Sequence, residues 1–305
     1  MNPIETHQLS HRYGRTEAVH ELSLAVPEGS VCALLGPNGA GKTTTIKLLM
    51  NLLRPGGGTA TVLGVDSRRL GPRELAQIGY VSENQQLPVW MTVRQLLDYC
   101  RPFYPTWDVA LEKRLLAQFE LPADRKLKQL SRGQLMKAAL LSSLAYRPKL
   151  LVLDEPFSGL DPVARDDFVR GLLEAAGEDG WTVLVSSHDI EEVERLADRV
   201  VLLDAGRLQL AEATDSLLGR FRRVEVSLPN PSPPSVAPVP PGWMALERGA
   251  GLVRFVDSRH EPLTMARDCR EQFPAATVTA SPMTLREIYL TLAHAGRNQP
   301  KGAAA

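Results

Sequence analysis

Apolar residues change their spacing several times along this chain, and each change marks a different kind of element. Near the start, Leu22, Leu24 and Val26 occupy every second position, between turn signals at Tyr13-Gly14 and Pro27-Glu28-Gly29. That period of two predicts a short antiparallel sheet. Val31-Cys32-Ala33-Leu34-Leu35 is instead short and continuously apolar, as in a parallel strand buried on both faces. A glycine-rich turn follows, and then a predicted helix over 43–53. From Thr92 to Leu121 the spacing turns helical: Val93, Leu96, Leu97 and Cys100 fall at i, i+3, i+4, i+7, and Leu111, Leu115 and Phe119 continue at i+4. Ser131, with Gln134 three residues on, forms a capping-box pattern ahead of Leu135–Leu141. Two further buried strands are predicted at 150–153 and 181–186. Between them Asp161 and Pro162 suit the N-cap and first position of a helix. Strands alternating with helices imply a parallel sheet covered on both faces. Val200–Leu208 reads as a final hairpin.

After Gly219 the composition shifts. Seven prolines, at 229, 231, 233, 234, 238, 240 and 241, exclude regular structure from that stretch. Strand-like runs at 224–228 and 252–256 flank it, so it reads as a surface loop rather than a domain boundary. A last helix, 284–295, places Leu285, Ile288, Tyr289 and Leu292 on one face. The expected organisation is a large α/β domain over 1–219, with a helical part at about 84–150. A small α+β accessory domain over 220–295 and a flexible tail over 296–305 complete it.

Composition narrows the partners. Lys plus Arg and Asp plus Glu both number 35, so no net charge draws the chain onto nucleic acid or an anionic membrane. The cluster Arg220-Phe221-Arg222-Arg223 reads as a solvated face or strand edge. No apolar run approaches the roughly 18 residues of a membrane helix, and Met1-Asn2-Pro3-Ile4-Glu5 does not begin a signal sequence. The expected location is the cytosol. Cys32, Cys100 and Cys269 lack metal-ligand spacing and read as small buried hydrophobes in a reducing compartment.

Four segments carry chemistry. Gly36-Pro37-Asn38-Gly39-Ala40-Gly41-Lys42-Thr43, followed by Thr44, lies between a buried strand and a helix, the setting a phosphate-binding loop requires. Its glycines let backbone N–H groups converge on phosphate oxygens, and the helix N-terminus adds positive character. Lys42 is expected to reach the β- and γ-phosphates and Thr43 to ligate Mg²⁺. Asp154 ends the apolar run 150–153, at the sheet edge that faces a ligand crevice, and suits the metal. Glu155, one residue on, suits the orientation or deprotonation of an attacking water. His188 follows the strand 182–186; alone such a histidine is more often structural, but beside Glu155 its ring would sense a γ-phosphate. Leu130-Ser131-Arg132-Gly133-Gln134 is a helix cap and also a second anion-facing helix start. The chain's own loop already holds the other end of a nucleotide, so this second start is free to serve another molecule.

With these residues and their order, the chain is similar over about residues 4–215 to the ATP-binding subunits of ABC transporters. The resemblance implies a P-loop NTPase fold: a RecA-like core, an antiparallel β subdomain and a helical subdomain, here followed by the α+β accessory domain. It implies a head-to-tail dimer, homo- or heterodimeric, that sandwiches two ATP molecules with Mg²⁺. In that dimer Ser131, Gly133 and Gln134 serve the partner's nucleotide. Lys42, Glu155 and His188 match catalytic positions, and Gly36 to Thr44 match the ATP loop. Tyr13 matches the aromatic that stacks on adenine, and Asp161 the loop linking the two sites. Thr43, Asp154 and Glu83 match metal positions. Two residues depart from the pattern. Arg132 replaces a glycine of the signature segment, and Glu83 stands where a glutamine is usual. The segments Pro88–Val93, Phe103–Asp108 and Ser281–Leu290 resemble export-type cassettes of the ABC-2 class, with a YtrB-like subgroup among them. That resemblance implies a position on the cytoplasmic face of the inner membrane, and the lack of a spanning segment calls for a separate transmembrane permease. Its candidate docking surface is a groove between the core and helical parts, near Glu83 and Trp90, although Trp90 equally suits the core. A soluble ATPase acting on ribosomes or nucleic acid is the alternative, although no nucleic-acid partner is expected from the charge balance. A nucleotide switch without turnover is a third reading, which intact Lys42, Glu155 and His188 disfavour.

Overall fold

The computed structural model describes residues 2–228, 239–249, 251–274 and 276–297. The chain divides into two units, Met1–Glu212 and Ala213–Ala305.

The first unit opens with β1 (Ile4–Tyr13) and β2 (Thr16–Val26), an antiparallel pair whose register slips at bulges between Thr6 and Arg12. Then come β3 (Val31–Leu35), α1 (Lys42–Leu49), β4 (Gly57–Val62), β5 (Val65–Asp66), α2 (Pro72–Leu75) and β6 (Ile78–Ser82). Strands β1, β2, β4 and β5 form one four-stranded sheet in the order β2-β1-β4-β5. The helical part holds α3 (Val93–Cys100), α4 (Val109–Gln118) and α5 (Arg132–Leu144). It is followed by β7 (Leu150–Asp154), α6 (Pro162–Asp179), β8 (Thr182–Ser187), α7 (Ile190–Glu194), β9 (Arg199–Asp204) and β10 (Arg207–Ala213).

A six-stranded sheet in the order β10-β9-β3-β8-β7-β6 organises the unit. Its pairs β3/β8, β3/β9, β7/β8 and β6/β7 are parallel. Strands β3 and β7 are buried at every residue, as their unbroken apolar runs require. The register places Asp154 opposite both Ser82 and Ser186, and Leu35 opposite Ser187. The loops that leave β3, β6, β7 and β8 therefore emerge together along one carboxyl edge. The β9–β10 hairpin turns on Ala205 (φ 46°) and Gly206 (φ 78°), the two left-handed residues of a tight turn.

Several predicted elements are shorter than their apolar spacing suggests. Helix α1 stops at Leu49 rather than Leu53, because Asn51 turns left-handed (φ 58°) and the Leu52 and Leu53 amides fold back onto the Lys47 carbonyl. The run from Thr92 to Leu121 is broken between α3 and α4. Pro102 and Pro105 lie in the break, where an interior proline would remove a helical hydrogen bond.

The second unit contains α8 (Thr214–Arg220), β11 (Arg222–Ser227), β12 (Trp243–Arg248), β13 (Leu252–Asp257), α9 (Pro262–Gln272), β14 (Thr277–Pro282) and α10 (Leu285–Arg297). Its sheet runs β12-β13-β11-β14. Val224, Val226, Val253, Phe255, Cys269 and Phe273 form its core, with Trp243 stacked on Phe255 at 3.8 Å. The unit begins at Ala213, earlier than the composition shift at Gly219. Helix α8 belongs to it because the Arg220 carbonyl accepts from the His260 amide (2.9 Å) and its Nη1 donates to the Ser258 carbonyl (2.6 Å). Most of the proline-rich stretch, 229–238, lies outside the described residues, as does the expected tail from 298 onward.

Candidate nucleotide-binding site

A cleft of about 550 Å³ opens where the sheet's carboxyl edge meets the loop between β3 and α1. Asn38, Gly39, Ala40, Gly41, Lys42, Thr43 and Thr44 line it, with Tyr13, Ala18, Glu83, Glu155, Ser158 and His188. Nine of these thirteen are expected from the sequence motifs, and Tyr13 and Glu83 from the resemblance alone; Ala18 and Ser158 are not singled out as lining residues by either. Tyr13 sits half-exposed at the tip of the β1–β2 hairpin, its ring edge-on to His11.

The loop is clamped from behind. A Cβ at Gly41 (φ 98°) would strike the Ala18 carbonyl oxygen, and one at Gly36 would strike that of Leu203. The Gly206 amide donates to the Ala40 carbonyl at 3.1 Å. The loop thus has room only for glycine at its two closest approaches. Gly36 and Pro37 do not line the cleft; their carbonyls accept from Lys42 Nζ at 2.7 and 3.3 Å. This holds the ammonium, 5% exposed, at the cleft floor.

The carboxylates divide the remaining work. Asp154 Oδ1 accepts from Thr43 Oγ1 (3.0 Å) and Ser186 Oγ (2.8 Å). Burial pushes its pKa up against those two hydrogen bonds. Ser186 Oγ also accepts from the Glu155 amide at 2.9 Å. This fixes a residue whose left-handed backbone (φ 52°) turns it away from β7. The Glu155 carboxylate bridges two groups: Oε1 lies 3.1 Å from Lys42 Nζ and Oε2 2.7 Å from His188 Nδ1. An ionised carboxylate only accepts, so Nδ1 is the protonated nitrogen in this contact.

Glu83 lines the cleft, and its side-chain hydrogen bonds go to Ser158 and Arg132 rather than to Thr43 or Asp154. Its amide donates to the Asp154 carbonyl at 2.9 Å, while its Oε1 accepts from Ser158 Oγ (2.6 Å) and Arg132 Nη2 (2.9 Å). The Ser158 hydrogen bond, and then Arg132, hold its pKa below the usual carboxylate range.

Ser131, Gly133 and Gln134 are absent from the cleft's lining. Ser131 caps α5 reciprocally: its Oγ accepts from the Gln134 amide (3.2 Å), and Gln134 Oε1 accepts from the Ser131 amide (3.1 Å). Gly133 is buried where a Cβ would come within 2.9 Å of Ala164 Cβ, so it lets α5 approach α6. Asp161 caps α6, accepting from the Ala164 amide at 2.9 Å. Trp90, which the sequence left open between core and surface, is 67% exposed. An apolar groove of about 390 Å³, lined by Leu87, Val89, Leu135 and Met136 together with Glu83 and Arg132, includes Val89, the chain neighbour of Trp90, but not Trp90 itself.

Comparison with known proteins agrees with this geometry. A family model described as ABC transporter matches residues 19–158. The ABC transporter ATP-binding protein YtrB of Bacillus subtilis is 30% identical over 224 residues, 73% of this chain and 76% of the relative. The Nod factor export ATP-binding protein I of Burkholderia orbicola is 39% identical over 226 residues, covering 71% and 72%. The sulfate/thiosulfate import ATP-binding protein CysA of Salmonella typhi is 34% identical over 221 residues, covering 70% and 60%. A solved dimeric ATP-binding cassette, in a post-hydrolysis state with ADP and Pi, superposes with a TM-score of 0.60 at 25% identity, over 69% of this chain and 98% of that one. The chain belongs to the ATP-binding proteins of the ABC transporters, a family whose cassettes hydrolyse ATP to power transport.

Proposed function

We propose that this chain is the ATPase subunit of an exporter, working as a head-to-tail dimer on the cytoplasmic face of the inner membrane and driving a separate permease. The observation that carries the hydrolytic part is the Glu155 carboxylate held between Lys42 and His188 at 3.1 and 2.7 Å. Lys42, already holding two loop carbonyls, has its remaining donor on Glu155; a γ-phosphate oxygen arriving at Nζ takes that place. Glu155, released from Lys42 and still held by His188, can then accept a proton from an attacking water. Tyr13 offers a ring for the adenine, and the amides from Asn38 to Thr44 suit the phosphates.

Mg²⁺ fits the donor set on one side of the cleft. Thr43 Oγ1 and Asp154 Oδ1, 3.0 Å apart, are hard oxygen donors on adjacent elements. Among the described residues no cluster of three His, Cys, Asp or Glu surrounds them. An ion held there would complete its shell with phosphate oxygens and water, as Mg²⁺ commonly does. When bound it would neutralise charge developing on the transferred phosphate.

The dimer rests on Ser131, Gly133 and Gln134, three residues of a capped helix start that do not line the chain's own cleft. The solved dimeric relative supports it. No helix among the described residues is long and apolar enough to cross a membrane, which fits a separate permease. The groove beside Trp90 is the surface for a permease helix. The export direction follows the Nod factor relative rather than the sulfate importer, which the chain matches over a smaller share of the relative's length. Two measurements test the reading. Lys42→Ala should weaken ATP binding at least about tenfold, through loss of a charge-assisted phosphate contact; undiminished affinity refutes the loop's role. The native protein should fractionate with membranes, and recovery with ribosomes or nucleic acid instead would favour the soluble alternative.

A further inference from the structure

The two positions that depart from the family pattern face each other. Arg132, the first residue of α5, places Nη2 2.9 Å from Glu83 Oε1, on the loop after β6. Ser158, after β7, donates to the same oxygen at 2.6 Å. The guanidinium lies over Gly159, where a Cβ would come within 2.7 Å of Cζ and the backbone is left-handed (φ 69°). Two loops and the first residue of a helix thus meet at one carboxylate oxygen. No described residue donates to the other, Oε2. Glu83 lines both the nucleotide cleft and the apolar groove.

A carboxylate beside a triphosphate is repulsive unless a positive charge offsets it. We propose that Arg132 is a positioning residue for the nucleotide site: with Ser158 it pins and neutralises Glu83 through Oε1, so that this carboxylate does not repel a triphosphate in the cleft it lines. The pair so replaces a neutral amide opposite a glycine by two compensating charges. This rests on the nucleotide reading above. Arg132 is 51% exposed and Glu83 33%, and ion pairs so exposed contribute little to folding. Its effect should therefore appear in nucleotide affinity, not in the melting temperature.

The test is a double-mutant cycle of wild type, Glu83→Gln, Arg132→Gly and the double variant, with ATP affinity measured by calorimetry in Mg²⁺ and in EDTA. Arg132→Gly should weaken binding about tenfold in EDTA and about threefold in Mg²⁺, where the metal offsets the bare carboxylate. Adding Glu83→Gln should restore affinity to within about twofold of Glu83→Gln alone, and Arg132→Lys should keep most of the wild-type affinity. Equal losses from Arg132→Gly with either residue at 83 would overturn the proposal, because Arg132 would then act without Glu83. Equal losses in Mg²⁺ and EDTA would overturn it too. Should Arg132→Gly not fold, Arg132→Gln removes the charge at similar reach and is judged by the same criteria. Wild-type protein that bound no ATP would refute the nucleotide reading itself, and this proposal with it.

Discussion

Exchanging Glu155 for Gln removes one negative charge from the floor of the cleft and little else. The carboxylate and its partner ammonium are 12% and 5% exposed and 3.1 Å apart. Attraction between unit charges at that separation is about 1.3 kcal/mol in bulk water and about 5 kcal/mol at an effective dielectric near 20. Desolvation cancels part of this, so a net of about 1–2 kcal/mol is reasonable for the competition a γ-phosphate meets at Lys42. The Glu155→Gln variant keeps the backbone amide's hydrogen bond to Ser186 and the same left-handed backbone at φ 52°. The fold should be unaffected. Two effects should separate. ATP affinity, measured by calorimetry, should rise about 5- to 30-fold, the equivalent of that energy. Single-turnover hydrolysis should fall by roughly 10²–10⁴, because the neutral amide cannot accept the proton. Size-exclusion chromatography with ATP should then show accumulated dimer. Hydrolysis at the wild-type rate would refute Glu155 as base. Affinity that fell instead of rising would refute the competition between carboxylate and phosphate.

Two further substitutions probe the carboxyl end of β7 and the cap of α5. Asp154 has a pKa raised by burial, so the folded state disfavours its ionised form and loses stability as pH climbs from the ordinary aspartate value through the raised one. Asp154→Asn keeps Oδ1 as acceptor for Thr43 and Ser186; it should raise the metal-free melting temperature at pH 8, flatten its pH dependence, and abolish the Mg²⁺-dependent tightening of ATP binding. Ser131→Ala removes the acceptor of the Gln134 amide; it should cost about 1 kcal/mol in thermal unfolding and eliminate ATP-driven dimers, whereas loss of stability with normal dimerisation would confine Ser131 to capping.

What the sequence reveals well here is local. The cap of α5 depends on residues 131 and 134, three apart, and forms in both directions as the pattern implies. Asp161 and Pro162 likewise start α6 through contacts within one turn. The buried strands β3 and β7 are legible because a parallel strand covered on both faces must be apolar throughout. Strand β4 is not legible: Gly57-Gly58-Thr59-Ala60 has poor strand propensity, and it is extended because β1 supplies its partner, Ile4 opposite Val62.

By itself the sequence placed the glycine-rich loop between a buried strand and a helix, and the acidic pair at the end of β7, since each depends on neighbours a few residues apart. Tertiary structure alone decided the partners of those groups. Ser186 reaches Asp154 only through the β7/β8 register. Ala18 enters the site only because β2 passes behind Gly41. Arg132 and Glu83, 49 residues apart, pair only because α5 and the loop after β6 meet at Ser158. A charge declares its sign in the sequence, but its effect depends on distance and dielectric, and both are properties of the folded chain.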